Sequence, residues 1–463
     1  MLFNSVAYAQ FRLHGGVRGI LVAAGAYFAA LALGVGIVYS STETRYRIDT
    51  FSELADGLIA LQVLMYLFVG MQSMSTAVEG DKSSNMIESH RMTPISAGNA
   101  VLGYLGGGPC QAYAFFMVNC LLGVLLYVLE PRIRMTLSEA VLINCVLFVF
   151  GMFLFSLIIC WGLAGRKVAR YVIGIIILAW ISGGQVFTYV PGMSFLVSPV
   201  LWVERWMQPP DWVFAMAMGA QVAVGAILLI AGARKYRYPN LPAFTATLGL
   251  IFIAIMTMVS GLAIHVWQNM SRYSYGWGTS VDMLSQFSCS ILMLAWLGMV
   301  PVLAAIRQPQ PRMNPVLVGI LSACISCGLM AVVPDQHWQI LLIIAAIVLV
   351  FELTMVYLLR FFESWTPKAP MLSFALLAIY SGGPFILDAF RYSENGGQRW
   401  TTLATISPMG ALLLVWDKHY SVTAGLVVQV VVLAGVIALY YLARRGKSSG
   451  ALPGSSPMLS QSA

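Results

Sequence analysis

The densest run of ionisable residues is Glu79-Gly80-Asp81-Lys82-Ser83-Ser84-Asn85-Met86-Ile87-Glu88-Ser89-His90-Arg91-Met92-Thr93-Pro94-Ile95-Ser96. Carboxylates, one imidazole and one guanidinium at this spacing make a charged surface. They do not make a metal centre, because no second His or Cys stands at ligand spacing. Met86–Met92 is long enough for one or two helical turns. Thr93 precedes Pro94, which favours an extended residue, so the spacing predicts that the helix stops there. Glu88, His90 and Arg91 then project into solvent, with Glu79 at the head of the stretch. The plain alternative is a solvated connector whose charges keep it out of lipid. A shorter polar stretch, Arg307–Pro315, contains Arg312-Met313-Asn314-Pro315.

Other chemistry-bearing residues are sparse. Glu352 is the clearest charge inside an apolar stretch. An acid there is expensive, and it marks either a substrate path or a pairing with a basic residue such as Arg360. Cys324 and Cys327 form a C-x-x-C inside the apolar run Val316–Val333, where two small residues on one helix face are expected rather than a redox pair. The five His are scattered. Gly103, Gly106, Gly107 and Gly108 are not followed by Lys-Ser/Thr, so they predict close helix packing or a helix break, not a phosphate loop. No Walker A motif occurs in the chain. Asn119, Asn144, Gln221, Gln286 and Gln429 lie within apolar runs and are expected to hydrogen-bond between helices.

The elements that must position these residues follow from composition. Of the residues, 59% are hydrophobic and 10% are charged, against about 25% charged in soluble domains. Mean hydropathy is +0.81. A soluble fold could not cover itself with so few charges, so the expected fold is an all-α polytopic membrane protein. A span needs about 20 apolar residues, and lipid requires that it be helical. The candidates are 19–39, 56–77, 99–128, 139–164, 168–189, 211–233, 243–267, 285–306, 315–333, 338–359, 371–388 and 421–443. The third is long enough to be tilted or broken. The first is too long for a cleavable leader and follows Arg12 and Arg18, so it reads as a span.

The net charge of +8 does not signal nucleic acid. Its basic residues sit in short clusters between spans, such as Arg166-Lys167, Arg234-Lys235 and Arg444-Arg445, as the positive-inside rule expects. With both termini inside, the larger share of Lys and Arg falls on the inner side. Trp202, Trp206, Trp212, Trp400 and Trp416 then form an outer aromatic belt. Gln185–Trp206 and Arg391–Trp416 are apolar but broken by Pro or Gly, and are expected to be re-entrant or interfacial. Leu2–Leu13 is expected to lie along the inner surface.

Four landmarks recur in order. Arg91-Met92-Thr93-Pro94 matches Arg312-Met313-Asn314-Pro315, each expected to open a span. Ser198-Pro199 matches Ser407-Pro408, Gln221-Val222 matches Gln429-Val430, and Ala233-Arg234-Lys235 matches Ala443-Arg444-Arg445. They predict two fused six-span halves, 1–237 and 238–446, and a disordered tail, 447–463. Six is even, so the halves share one orientation.

Here the chain resembles the ABC-2 family of ABC transporter permeases. In that family an acidic loop after the second span leads through a short helix to a T/S-P-hydrophobic-S turn. A helix opening with a Val-Leu-Gly-Lys-like run follows. Thr93-Pro94-Ile95-Ser96 and Val101-Leu102-Gly103 fit. Tyr104 stands where a Lys is common. The resemblance covers the first half and is weaker over the second, whose loop is shorter. It implies an exporter subunit in the inner or plasma membrane, coupled to a separate ATPase. The coupling loop would comprise Glu79, Glu88, His90, Arg91, Thr93 and Pro94, with Arg312, Asn314 and Pro315 as its reduced counterpart. ATP would act only through the partner subunit, with no cofactor on this chain. A further copy or another permease is a second expected partner. A secondary transporter also suits twelve spans in parallel halves, but Glu352 stands almost alone where such carriers use several ionisable groups. A membrane-embedded enzyme would need a cluster of acid, base or metal ligands at one interface, and none is seen.

Overall fold

A computed structural model describes residues 4–41, 47–129, 136–164, 211–271, 280–333, 337–363, 365–366, 368–394, 402–416 and 422–449. No strand occurs among the described residues, and 11 helices are long and apolar enough to cross a membrane. The chain is an all-α polytopic membrane protein of about 12 helices. Eleven of the expected spans coincide with these helices. The remaining one, 168–189, lies outside the described residues, as does Gln185–Trp206. Two compact units are formed, Met1–Phe244 and Thr245–Ala463.

The first unit begins with a short helix α1 (Ser5–Leu13) capped by Asn4, whose Oδ1 accepts from the Val6 and Ala7 amides at 3.1 and 3.2 Å. The spanning helix α2 (Gly16–Ser41) turns Leu21, Val22, Leu33 and Ile37 outward. A second span comprises α3 (Arg47–Val63), a π segment (Leu64–Val69) and α4 (Gly70–Ser83). It runs past the expected 77, so Glu79 and Asp81 belong to its last turns rather than to a loop. Next come α5 (Met86–Arg91), α6 (Ala97–Gly107) and α7 (Cys110–Leu129). The expected third span is indeed broken, at Gly108-Pro109, where proline has no N–H to continue the ladder. The helices α8 (Leu137–Leu163) and α9 (Asp211–Arg237) complete the unit and pack on each other.

Apolar burial gains little when lipid tails are the alternative, so close packing and polar bonds hold such helices together. Both are present. Tyr66 in the π segment is fully buried. It stacks on Phe148, meets Phe155 edge-on, and donates its hydroxyl to the Phe148 carbonyl at 3.0 Å. Gln62 Nε2 donates to Asn144 Oδ1 at 2.6 Å, and the Tyr27 hydroxyl to Asn119 Oδ1 at 3.1 Å. Asn119 and Asn144 thus bond between helices as expected.

The second unit contains α10 (Ala246–Ser271), α11 (Ser280–Leu297), α12 (Met299–Ile306), α13 (Pro315–Cys327) with a 3-10 turn (Gly328–Val332), α14 (Trp338–Glu363) and α15 (Ala369–Glu394). Two short helices, α16 (Thr402–Ile406) and α17 (Pro408–Leu414), precede α18 (Val422–Ser449). Within Arg391–Trp416, Arg391–Glu394 end α15, and Ala404, Thr405, Ser407 and Ala411 are buried. Ser407 caps α17 by accepting from the Gly410 amide at 2.9 Å. Trp416 donates its indole N–H to Ser288 Oγ at 2.8 Å. The expected tail begins later than 447, because α18 runs to Ser449; residues 450–463 lie outside the described residues.

Each unit uses similar helix pairings. In the first, α2 meets α7, α4 meets α8, and α8 meets α9. In the second, α10 meets α13, α11 meets α14, and α14 meets α18. In order of spans these are one–three, two–four and four–six in both.

Candidate functional site

The polar residues of the first unit gather where α1, α4, α5, α6 and the end of α9 meet. Asp81, in the last turn of α4, is 7% exposed. A carboxylate buried this far needs donors. Gln10 on α1 supplies one, its Nε2 donating to Asp81 Oδ2 at 2.8 Å. Tyr104 on α6 supplies the other, its hydroxyl donating to the same oxygen at 2.7 Å. One acid therefore joins three helices. Asn4 strengthens the joint by donating Nδ2 to the Asn99 carbonyl.

The glycine run explains how α1 comes so close. A Cβ on Gly103 would lie 2.5 Å from Asn4 Oδ1, and one on Gly107 would lie 2.6 Å from the Ala7 carbonyl oxygen. Gly108 lies at the helix break. Gly106 faces open space. Packing and a break account for three of the four glycines.

Below this joint the chain reverses at Asn85, the one non-glycine residue with positive φ among the described residues, at 58°. The helix α5 then runs over Met86–Arg91 and stops before Thr93-Pro94, as the sequence predicts. Thr93 Oγ1 donates to the His90 carbonyl at 2.6 Å, closing the turn. Ser96 caps α6, its Oγ accepting from the Asn99 amide at 3.2 Å. Pro94 thus precedes a short helix rather than opening a span.

The charges of α5 divide in two. Glu88 is exposed, His90 half-buried, and Met86 and Met92 stand out in solvent, Met92 at 90% exposure. Arg91 does not project outward as the sequence reading expects. It pairs with Glu88 on its own helix, and its Nε–H donates to the Tyr236 carbonyl at 2.5 Å. Its guanidinium also lies 5.6 Å from the Tyr236 ring centroid. Tyr236 is in the last turn of α9, where carbonyls lack helical partners and the dipole favours a cation. Arg91 is therefore a cap on α9 that tethers α5. Glu79 is half-buried and accepts from Ser75 Oγ, one turn back on α4, at 3.3 Å. Thr93 and Pro94 are exposed.

In the second unit no helix forms between Arg307 and Asn314. Asn314 caps α13 by accepting from the Val316 amide at 3.0 Å, and Pro315 takes the first helical position, which suits its missing N–H. Arg312 is exposed. Arg360 Nη2 donates to Asn314 Oδ1 at 3.4 Å, so it is not the partner of Glu352. Glu352 is fully buried and accepts from Ser322 Oγ at 3.3 Å. Cys324 and Cys327 are unbridged. Gln429 is fully buried with no hydrogen bond at either amide atom, against the expectation of an interhelical bond. The side chain of Gln286 lies outside the described residues. No group of three or more metal-ligating side chains occurs among the described residues.

Sequence reasoning missed Gln10, Asp81, Tyr104 and Tyr236 as members of this site. Asp81 carried a signal as a member of the ionisable run from Glu79, and Tyr104 as a phenol where the resembled family commonly has a Lys. No family model, curated protein or solved structure matches the chain.

Proposed function

We propose that the chain is the membrane-spanning subunit of an ABC exporter, driven by a separate ATPase subunit that docks on α5. One observation carries this reading. α5 is short, tethered to α9 through Arg91, and presents Glu88, Met86 and Met92 outward. A rigid charged helix with exposed apolar knobs lets a soluble partner grip and push a membrane domain. The Asp81 joint would pass that push to α1, α4 and α6. Tyr104 replaces the Lys common in the family but still places a donor on an acid of the preceding polar stretch. In this reading Arg312, Asn314 and Pro315 mark a reduced docking point, so the ATPases contact the halves unequally. The matching helix pairings of the two units support a duplicated six-span half. Both termini would be cytoplasmic, in the inner or plasma membrane. ATP would be hydrolysed only on the partner.

Replacing Glu88–Pro94 with a Gly/Ser linker tests the assignment. Co-purification of the ATPase subunit with this chain should be lost. A linker variant that kept its ATPase and its ATP-dependent activity would sink the docking role.

A further inference from the structure

Glu352 lies on α14, one of the most heavily packed helices of the second unit, and is 0% exposed. Ser322 on α13 donates to Oε1 at 3.3 Å, while Oε2 has no hydrogen-bond partner. Beside it is Gly298, the single residue between α11 and α12, whose backbone stays helical. A Cβ on Gly298 would lie 2.1 Å from Glu352 Oε1, 2.2 Å from Ser322 Oγ and 2.9 Å from the Ala295 carbonyl oxygen. Three oxygens from three helices thus converge over a backbone that must lack a side chain. Ser326, one turn beyond Ser322, is also 0% exposed, and its hydroxyl has no partner.

Among the described residues no cation pairs with this acid. The helices α12, α13 and α17, which all pack on α14, carry no Asp, Glu, Lys, Arg or His. The one hydrogen bond the carboxyl makes among the described residues comes from Ser322. Arg360 on its own helix is eight residues away, about 12 Å along the axis. The titratable groups on the other packed helices are Cys324 and Cys327 on α13, Asp282 and Cys289 on α11, Tyr380, Asp388, Arg391, Tyr392 and Glu394 on α15, and Tyr440, Tyr441, Arg444, Arg445 and Lys447 on α18. An unpaired carboxylate in such surroundings is far costlier than the neutral acid. Adding a proton removes that cost and turns a bare acceptor into a donor. A metal cation would need several more oxygens than the carboxyl and Ser322 provide.

We propose that Glu352 is a proton-binding site of the second unit. Its carboxyl holds a proton in the closed packing described here. The proton passes to water when the helices packed around Glu352 part, and is regained when they close. Intramembrane acids commonly serve proton relays. The site does not depend on the ATPase reading.

The test uses the full-length protein in liposomes and a hydrophobic carbodiimide, which modifies protonated carboxyls in apolar surroundings. Mass spectrometry should find Glu352 modified, with labelling falling as pH rises and absent in Glu352→Gln. Infrared spectra should show a protonated-carboxyl band lost in Glu352→Gln and shifted in Ser322→Ala. The wild-type labelling profile needs no variant, so a folding defect in Glu352→Gln leaves the test intact. An unlabelled Glu352 across the pH range would overturn the proposal. Protection by sodium chloride at fixed pH would also overturn it, in favour of a metal ion. Neither readout requires a partner subunit, so failure here and failure of ATPase docking remain separate results.

Discussion

The Tyr104 hydroxyl and the Gln10 amide donate to one oxygen of Asp81, at 2.7 and 2.8 Å. A buried carboxylate with two donors loses unequally according to which partner is removed. Tyr104→Phe leaves one donor in place and should cost about 1.5–3 kcal/mol. Asp81→Ala strands both donors and should cost more. Thermal unfolding in detergent measures the order. A Tyr104→Phe midpoint equal to wild type would show that the bond adds nothing to stability.

Arg91 ties α5 to the end of α9. Its bond to the Tyr236 carbonyl is charge-assisted and should contribute about 1.5–3 kcal/mol. Arg91→Ala should free α5 while leaving the spans intact. Trypsin cleavage after Lys82, exposed at the end of α4, should quicken relative to wild type. Arg91→Lys should give only partial rescue, because an ammonium lacks the planar fork. Unchanged cleavage in Arg91→Ala would mean that the tether does not hold the helix.

The approach of α1 to α6 depends on two missing side chains. Gly107→Leu places a Cβ 2.6 Å from the Ala7 carbonyl oxygen, and backbone cannot yield as a flexible side chain can. The variant should release α1, seen as faster proteolysis near Arg12, with the spanning helices still folded by circular dichroism. Gly106→Leu is the control, since Gly106 faces open space. Equal proteolysis of the two variants would remove the packing account.

Gln429 carries two buried polar atoms without partners. Removing an unsatisfied buried group recovers about 1–3 kcal/mol. Gln429→Leu, close in volume, should raise the thermal midpoint. A lower midpoint would show that the amide does make a stabilising bond.

Orientation can be read at Met92, the most exposed large apolar residue among the described residues of the first unit. A Met92→Cys variant, with the native cysteines replaced by serine, should react with an impermeant maleimide only after cells are permeabilised. Labelling of intact cells would place α5 outside and rule out ATPase docking there.

The spans were readable because a bilayer imposes one length and one backbone structure on any apolar stretch. The break at Gly108-Pro109 was readable from the length of the third candidate span and from the glycine run that ends at Gly108. The short α5 was readable from Thr93-Pro94. The partners of the polar residues were not. Gln10 lies 71 residues from Asp81, and Arg91 lies 145 from Tyr236. No periodicity links positions so far apart in sequence. Arg91 also looks in sequence like any solvent-facing base of a connector. Only the fold brings a helix end with free carbonyls beneath it. Glu352 was visible as an anomaly, but its lack of a counter-charge depends on which helices surround it.

The π segment Leu64–Val69 has a geometric effect on everything below it. Each residue advances an α-helix by roughly 100°, and a π turn absorbs one extra residue without breaking the rod. The two ends of the second span are therefore out of phase with a continuous helical wheel. A wheel drawn through 49–83 would misassign the face that carries Asp81. Deleting one residue within 64–69 should restore a plain α-helix and swing Asp81 away from Gln10 and Tyr104, while Gln62 keeps its place against Asn144. The azimuth of the Asp81 joint is thus set in the middle of the bilayer, by a single residue's worth of slack.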